Sequence, residues 1–303
     1  MSQPETHDER WLNADGTVMD EDHRGLVYDV QTLINRRRAL GLFGGVALTS
    51  LLAACTPQAN SSSPIATTTP SPSATSTPSA SATPTASATP SAVATPMTEI
   101  PDETGGPYPA DNSNGVNILD DSGIVRSDIR SSFGSSTTTA QGVPLQFSLT
   151  IREAATGNAI AGAGVYAWHC DAAGNYSLYS SGVENENYLR GVQETDASAT
   201  VTFTSIFPAC YSGRWPHIHF EVYADVATAV AAGPILKTSQ LALPKEACDA
   251  VYATSGYESS VRNLSQVSLA SDNVFGDDGG IFQIATITGD PTSGYTAALA
   301  VGI

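Results

Sequence analysis

The sequence contains few charged residues, and few of those are basic. Only 14% of its 303 residues are charged, and 13 lysines and arginines stand against 30 aspartates and glutamates, for a formal net charge of −17. Nucleic-acid binding needs a basic surface, so this composition argues against a nucleic-acid partner. Long helical periodicity is also nearly absent, which disfavours a helical fold.

Histidine is scarce as well, with five residues in the whole chain. His7 and His23 precede an export signal described below, which leaves His169, His217 and His219. In an extended strand alternate side chains share a face, so His217 and His219 are expected to project from the same side. Two imidazoles on one face supply half of a metal site.

Residues 1–54 have the pattern of an export signal. Arginines at 36–38 precede a short apolar run at 44–54 that ends at Cys55. This order predicts an export signal rather than a transmembrane helix, because the apolar run is too short to span a bilayer. The adjacent arginines predict a signal of the twin-arginine type. The last residues before Cys55 resemble a lipobox, which predicts lipidation of Cys55. The alternative is an uncleaved N-terminal anchor, and in both cases the remaining chain is exported and held at the bacterial membrane or surface.

Residues 55–97 consist almost entirely of Ser, Thr, Pro and Ala. Such a segment cannot bury enough apolar surface to offset its ordering entropy, so a disordered tether is expected, with glycosylation left open. The folded domain is assigned to residues 98–303. Without residues 1–54 the chain retains 22 acidic and eight basic residues (30 − 8 and 13 − 5).

The folded domain is predicted to be all-β, a β-sandwich of mostly antiparallel strands with long loops. Alternating apolar residues and intervening turn residues separate the candidate strands. One short helix is expected at 244–252, where Pro-Lys-Glu suits a first turn. The candidate strands cover residues 145–151, 165–167, 201–203, 217–222, 281–288 and 297–301.

Cysteine usage agrees with an exported chain. If Cys55 is lipidated, three cysteines remain in an oxidising compartment. We expect a disulfide between Cys210 and Cys248, with Cys170 buried and free. The alternative is that all three are reduced and buried, because connectivity cannot be deduced from sequence.

Tyrosines are the nearby candidates to complete the metal site. Tyr211 lies six residues before His217, and Tyr176 follows a predicted strand end. Phenolate is a hard anionic donor, so two phenolates with two imidazoles favour Fe(III) over Zn(II) or Cu(I). Tyr179 and Tyr188 are competitors for the first phenolate. His169 flanks Trp168 on a strand and is expected to be structural.

Four motifs together resemble the intradiol ring-cleavage dioxygenases. They are Ala-Trp-His-Cys-Asp-Ala-x-Gly-x-Tyr-Ser (167–177), Arg-Gly-x-Gln-x-Thr-Asp (190–196), Phe-x-x-Ile-x-Pro-x-x-Tyr (203–211) and Arg-x-Pro-His-Ile-His-Phe (214–220). The resemblance covers most of residues 104–303. A lone His-x-His is a weak signal, whereas the ordered Tyr, Tyr, His-x-His set is specific.

The resemblance implies one non-haem Fe(III) per chain, bound by Tyr176, Tyr211, His217 and His219, with a solvent hydroxide in the fifth position. Tyr211 and His219 are the axial ligands by this resemblance. The implied reaction cleaves a catechol-type ring between its hydroxylated carbons with O2 and gives a cis,cis-muconate-type product. The axial tyrosinate and the hydroxide are then expected to accept the protons that the catechol releases.

The same resemblance assigns supporting roles around the metal. Arg214 is expected to stabilise negative charge on the ring, and Gln240 matches a glutamine near the site. Gly106, Pro107 and Tyr108 match a segment that reaches toward the substrate.

The chain departs from the familiar enzymes, because no helical dimerisation region precedes residue 104 and the tether stands in its place. A homo-oligomer is therefore left open. The alternative function is a non-catalytic extracellular module that binds iron, a catechol or a polysaccharide. Such a module would show either no phenolate-to-iron charge-transfer absorption or no turnover of catechol.

Overall fold

The computed structural model describes residues 94–303, which form eight strands in two four-stranded sheets packed as a β-sandwich. The predicted all-β fold is confirmed. The predicted export signal, Cys55 and most of the predicted tether lie outside the described residues. The strands are β1 (Pro144–Arg152), β2 (Gly164–Trp168), β3 (Arg190–Glu194), β4 (Thr200–Ile206), β5 (His217–Tyr223), β6 (Ile235–Ala242), β7 (Thr286–Asp290) and β8 (Gly294–Gly302).

The first sheet has the strand order β4-β1-β8-β7, and the second has the order β3-β2-β5-β6. All pairs are antiparallel except β1 with β8. In the second sheet, His219 lies opposite Trp168 of β2 and Gln240 of β6. The strand register therefore places the indole of Trp168 on one side of His219 and the polar side chain of Gln240 on the other.

The main core lies between the sheets and follows the alternation of the sequence. In β1 the buried side chains Leu145, Phe147, Leu149 and Ile151 alternate with more exposed ones. Phe147 stacks on Phe203 of β4 with ring centroids 5.1 Å apart. Period-two alternation of this kind is what one buried sheet face requires.

The second sheet is covered on its outer face too, which explains why every residue of β5 is buried. A second apolar cluster packs there and joins β2 to the chain around residues 110–124. Tyr166 and Trp168 of β2 belong to this cluster, with ring centroids 4.8 Å apart. This covered outer face carries His217 and His219, so both imidazoles point into a closed interior rather than into solvent.

Three short helices follow β5: α1 (Val226–Val230), α2 (Lys245–Tyr252) and α3 (Glu258–Leu264). The predicted helix at 244–252 is confirmed as α2, with Pro244 as the extended residue before its first turn. Among the described residues no helix has the length and apolar character needed to cross a membrane.

The sequence prediction failed at three strands. β3 and β6 were not predicted, because they bury polar side chains such as Arg190, Lys237 and Gln240 that break the apolar alternation. The strand predicted at 281–288 was partly wrong. The amides of Gln283 and Ile284 both donate to Gly280 O, which makes a turn there, and the strand begins only at Thr286.

Candidate metal centre

Strand β5 brings its two histidines together as the alternation predicts. His217 and His219 are each 2% exposed, and their Nε2 atoms lie 3.0 Å apart. His217 Nδ1 donates to Trp215 O at 2.5 Å, so its Nε2 carries the lone pair. His219 stacks on Trp168 at a centroid distance of 4.9 Å, with the rings 4° from parallel.

The surroundings keep both imidazoles neutral. Burial lowers the pKa of His217 and of His219 well below the usual value, and the positive charge of Arg214 adds to both shifts. A neutral imidazole is the form that binds a metal. Both imidazoles are therefore in the metal-binding form at neutral pH.

Two phenols join these imidazoles. Tyr211 Oη lies 3.2 Å from His217 Nε2, and Tyr211 remains partly exposed. Tyr176 is 3% exposed, and its ring meets those of Tyr211 and His219 edge-on at 5.9 Å and 6.3 Å. Tyr176 Oη is buried with no hydrogen-bond partner. Burying a hydroxyl without a hydrogen-bond partner costs free energy, which indicates that this oxygen binds a ligand or an ion.

The donor set fits a metal ion. Imidazole nitrogens bind a metal such as zinc at about 2.0–2.1 Å. The two Nε2 atoms lie 3.0 Å apart, so both could contact one ion. Within residues 94–303 no group of three His, Cys, Asp or Glu residues could hold a metal. A metal ion here would therefore need the phenolic oxygens as ligands. Phenolate is a hard donor, and hard donors favour a hard ion such as Fe(III).

Burial raises the pKa of the Tyr176 phenol well above its usual value, and the nearby Tyr211 adds to the shift. The bare pocket thus disfavours the phenolate. A bound cation reverses this balance by stabilising the anion directly. Tyr176 is accordingly a phenol whose ionisation would depend on a cation at the site.

Arg214 lies beside this cluster as a fully buried guanidinium. Its Nε donates to Asp272 Oδ2 at 3.0 Å, and its Nη2 donates to Gln240 Oε1 at 2.6 Å. Gln240 Nε2 in turn donates to Thr104 O at 2.9 Å. The two predicted residues, Arg214 and Gln240, are therefore in direct contact. Sequence reasoning missed Asp272, which lies 58 positions away and matches none of the motifs.

The segment Gly106-Pro107-Tyr108 does reach the cluster. Gly106 adopts φ +71°, a conformation that favours glycine, and its amide donates to Thr104 Oγ1 at 2.9 Å. The Tyr108 ring lies 5.1 Å from the ring of Tyr176 and 5.0 Å from that of Tyr179. The segment thus covers the Tyr176 side of the site with an aromatic surface.

A second buried arginine, Arg190 of β3, holds these parts together. The sequence motif at 190–196 includes it, but sequence reasoning gave it no role. Its guanidinium donates to five oxygens on three parts of the chain: Tyr108 O, Pro109 O, Tyr166 Oη, Ser177 Oγ and Ser177 O. Arg190 therefore ties the Tyr176 loop to the Gly106–Tyr108 segment.

The competing tyrosines and the third histidine have partners elsewhere. Tyr179 Oη accepts from the Ala110 amide and donates to Asn114 Oδ1, and Tyr188 Oη donates to Asp171 Oδ2. His169 hydrogen-bonds through Nδ1 to Cys170 O and through Nε2 to Ser205 Oγ. These three residues are thus outside the cluster of candidate ligands.

The predicted disulfide between Cys210 and Cys248 is not formed, and Cys170, Cys210 and Cys248 are all free and buried thiols. Cys210 Sγ points to Arg214 O at 3.4 Å, whereas Cys248 Sγ points to Leu243 O at 3.8 Å. Each thiol is therefore directed to a backbone carbonyl of its own surroundings. Burial raises the pKa of both thiols, which disfavours the reactive thiolate.

The described chain is thus a β-sandwich with a buried pair of histidines and two adjoining tyrosines on one sheet. Solved structures that match the described domain include intradiol ring-cleavage dioxygenases. The domain is similar to such an enzyme from Tetranychus urticae, with 26% identity and a TM-score of 0.53 over 68% of this chain and 94% of that one. A second dioxygenase structure matches with 25% identity and a TM-score of 0.55 over the same shares.

No protein-family model matches the sequence, and no curated protein matches it either. The structural matches nonetheless confirm the resemblance that the sequence motifs indicated. The domain is therefore similar in fold to intradiol ring-cleavage dioxygenases, and this similarity supports classifying it with the oxidoreductases.

Proposed function

We propose that this chain is an Fe(III)-dependent dioxygenase that cleaves a catechol-type ring between its two hydroxylated carbons. One observation carries the proposal: His217 Nε2 lies 3.2 Å from Tyr211 Oη and 3.0 Å from His219 Nε2, and beside them Tyr176 Oη is buried without a partner. The muconate-type diacid contains every atom of the catechol together with both atoms of O2. The reaction therefore balances without an external reductant.

A bound ferric ion would supply Lewis acidity at the catechol oxygens and an acceptor for charge from the ring. Tyr176, Tyr211, His217 and His219 are the residues that would hold it. Tyr211 is partly exposed, whereas Tyr176 is 3% exposed. Tyr211 is therefore the phenol that an incoming catechol could reach, and as the phenolate that the ion would hold, its Oη would accept a catechol proton.

Arg214 would act on the ring itself. Its guanidinium is held by Asp272 and Gln240 in a fully buried position, so it cannot turn away when charge develops nearby. A fixed cation in a low-dielectric site stabilises negative charge on the ring more than a solvated one would. The Tyr108 ring lies beside the ring of Tyr176, where it would restrict how the catechol can lie.

A visible spectrum of the purified full-length chain loaded with iron tests the proposal. We expect a tyrosinate-to-iron band that moves to longer wavelength when catechol is added without oxygen. In Tyr176→Phe the band should weaken, whereas Tyr188→Phe, the matched control, should leave it unchanged. Admitting O2 should then give a muconate. A colourless iron-loaded protein would contradict the two-tyrosine site.

We further propose that the chain is exported and anchored through a lipid on Cys55. The support is the sequence order of arginines 36–38, a short apolar run and Cys55. Labelling cells with a fatty acid should mark the wild-type chain and leave Cys55→Ala unmarked. Label retained in Cys55→Ala would contradict the assignment.

A further inference from the structure

The segment at 207–210, which directly precedes one of the two candidate ligand tyrosines, is held by side chains from a later part of the chain. All four of its residues are buried, and they lie between β4 and β5. Tyr257 Oη donates to Phe207 O at 2.8 Å, and Tyr252 Oη donates to Pro208 O at 3.0 Å. The end of α2 and the residue before α3 therefore both bind the backbone of this segment.

Helix α3 holds the last residue of the segment through both of its peptide groups. The Cys210 amide donates to Ser260 Oγ at 3.0 Å, and Asn263 Nδ2 donates to Cys210 O at 2.8 Å. Ser260 and Asn263 are three positions apart, so they share one face of the helix. The Cys210 carbonyl belongs to the planar peptide group that joins Cys210 to Tyr211. Asn263 therefore fixes the peptide plane from which Tyr211 starts.

A packing contact limits Tyr211 at its Cβ. Gly174 lies in the turn that leads to Tyr176 and has φ +98°, and a Cβ built on it would lie 3.4 Å from Tyr211 Cβ. The two loops that carry the candidate ligand tyrosines thus pack directly against each other. The backbone of Tyr211 is set by α3 and by this turn, and its Oη then lies 3.2 Å from His217 Nε2.

We propose that Ser260 and Asn263 of α3 are positioning residues for Tyr211 at the iron site. Their contact with Tyr211 is indirect, through the two peptide groups of Cys210. Hydrogen bonds that orient a metal ligand in this way tune how well the ligand binds the ion. This inference rests on the function proposed above, and it adds a helix outside the sandwich to the parts that build the site.

Iron affinity tests the inference, with Fe(III) itself as the probe on the purified full-length chain. Competition with a chelator gives the dissociation constant of the ion. We expect Ser260→Ala and Asn263→Ala each to weaken binding by about 10–100-fold, the usual effect of losing a hydrogen bond that orients a metal ligand. Ser265→Ala is the matched control, since the exposed Ser265 hydroxyl donates to Arg262 O and should not affect the affinity.

A double-mutant cycle separates positioning from a general loss of stability. In a Tyr211→Phe background, Asn263→Ala should change iron affinity by less than about twofold, because the ligand that it positions is gone. In a Tyr176→Phe background the loss caused by Asn263→Ala should persist. A loss of the same size in both backgrounds would overturn the inference, because Asn263 would then act on the whole fold and not through Tyr211.

The visible band is a readout that does not depend on affinity. With iron in saturating excess, Asn263→Ala should weaken the tyrosinate-to-iron band per bound ion, because one phenolate is displaced, whereas Ser265→Ala should match the wild type. If Tyr211→Phe binds too little iron for the cycle, this band decides. If Asn263→Ala does not fold, Ser260→Ala takes its place in both measurements.

Two further outcomes separate this inference from the function on which it rests. Wild-type affinity and a wild-type band in both α3 variants would overturn the positioning role and leave the proposed function intact. A wild-type chain that binds no iron would overturn the proposed function and the positioning role with it.

Discussion

Asp272 is the residue through which the fold positions Arg214. Its Oδ2 accepts from Arg214 Nε and from the Trp215 amide, and its Oδ1 accepts from the amides of Val274 and Phe275. One carboxylate thus neutralises a buried cation and also shapes the turn that follows. Removing its charge leaves a buried guanidinium uncompensated.

We expect Asp272→Asn to lower the free energy of unfolding by about 3–5 kcal/mol, the usual cost of breaking a buried ion pair on one side. Urea unfolding of the full-length chain measures the change. Asp249→Asn is the matched control, since Asp249 pairs with Lys245 on the exposed surface of α2 and should change nothing measurable. Equal effects of the two substitutions would contradict the importance of burial.

Glu103 gives a second prediction at the residue scale, and it concerns pH. Burial raises its pKa from the ordinary 4.5 to about 7, with Asp277 contributing and Arg214 opposing. Between these values the unfolded chain is ionised while the folded chain holds the proton, so stability falls as pH rises from 4.5 to 7.

Glu103→Gln removes this loss of stability at higher pH, because a glutamine side chain does not ionise. The substitution should therefore stabilise the protein more at pH 8 than at pH 5, by about 2–3 kcal/mol, since each pKa unit is worth about 1.4 kcal/mol. Urea unfolding of both proteins at the two pH values measures it. A stability difference between the two proteins that is the same at pH 5 and pH 8 would show that Glu103 does not titrate in this range.

At the scale of elements, the first residue of strand β3, Arg190, holds separate segments of the chain together through hydrogen bonds. Arg190 connects β3 to the loop after β2 that carries Tyr176 and to the segment that carries Tyr108. These pieces belong to no common sheet ladder, so side-chain bonds must hold them in place. Tyr179 adds a second tie through the Ala110 amide and Asn114.

Arg190→Lys keeps the positive charge but cannot supply the five hydrogen bonds. We expect amide exchange in residues 106–112 to become at least about tenfold faster, because the segment loses its anchor. Hydrogen-exchange mass spectrometry measures this. Arg152→Lys, which loses only the bond to Gly157 O, is the control and should leave the segment protected. Unchanged exchange in Arg190→Lys would assign the segment's order to other contacts.

At the scale of the whole molecule, the candidate metal site joins elements that are distant in sequence. Tyr176 and Tyr211 come from loops, and the histidines come from β5. An ion bound by all four would cross-link these parts in the folded state only, and such a ligand stabilises the fold by mass action.

Removing iron by chelation should therefore lower the thermal midpoint. At a thousandfold excess over its dissociation constant, the ion is worth about 4 kcal/mol. Scanning calorimetry with and without iron measures the shift, and in Tyr176→Phe the shift should be smaller. A midpoint that does not depend on iron in the wild-type chain would contradict a four-residue site.

Some elements could be predicted because their pattern is local. The alternation in β1 and the His-x-His of β5 depend only on the two-residue period of a strand. The order of Tyr176, Tyr211, His217 and His219 was visible for a related reason, because each lies within a short motif of the sequence. β3 and β6 escaped prediction because their buried residues are polar, and only a covering layer on the outer face makes such burial possible.

The sequence by itself determined the all-β fold, the acidic charge and the set of candidate ligands, since composition and short-range periodicity carry that information. Tertiary structure decided which groups meet: Arg214 with Asp272, Arg190 with the Tyr108 segment, and Cys210 with a carbonyl rather than with Cys248. The physical reason is that ion pairs and hydrogen bonds act over a few ångströms in space. Separation along the chain does not reveal these distances until the sheets pack.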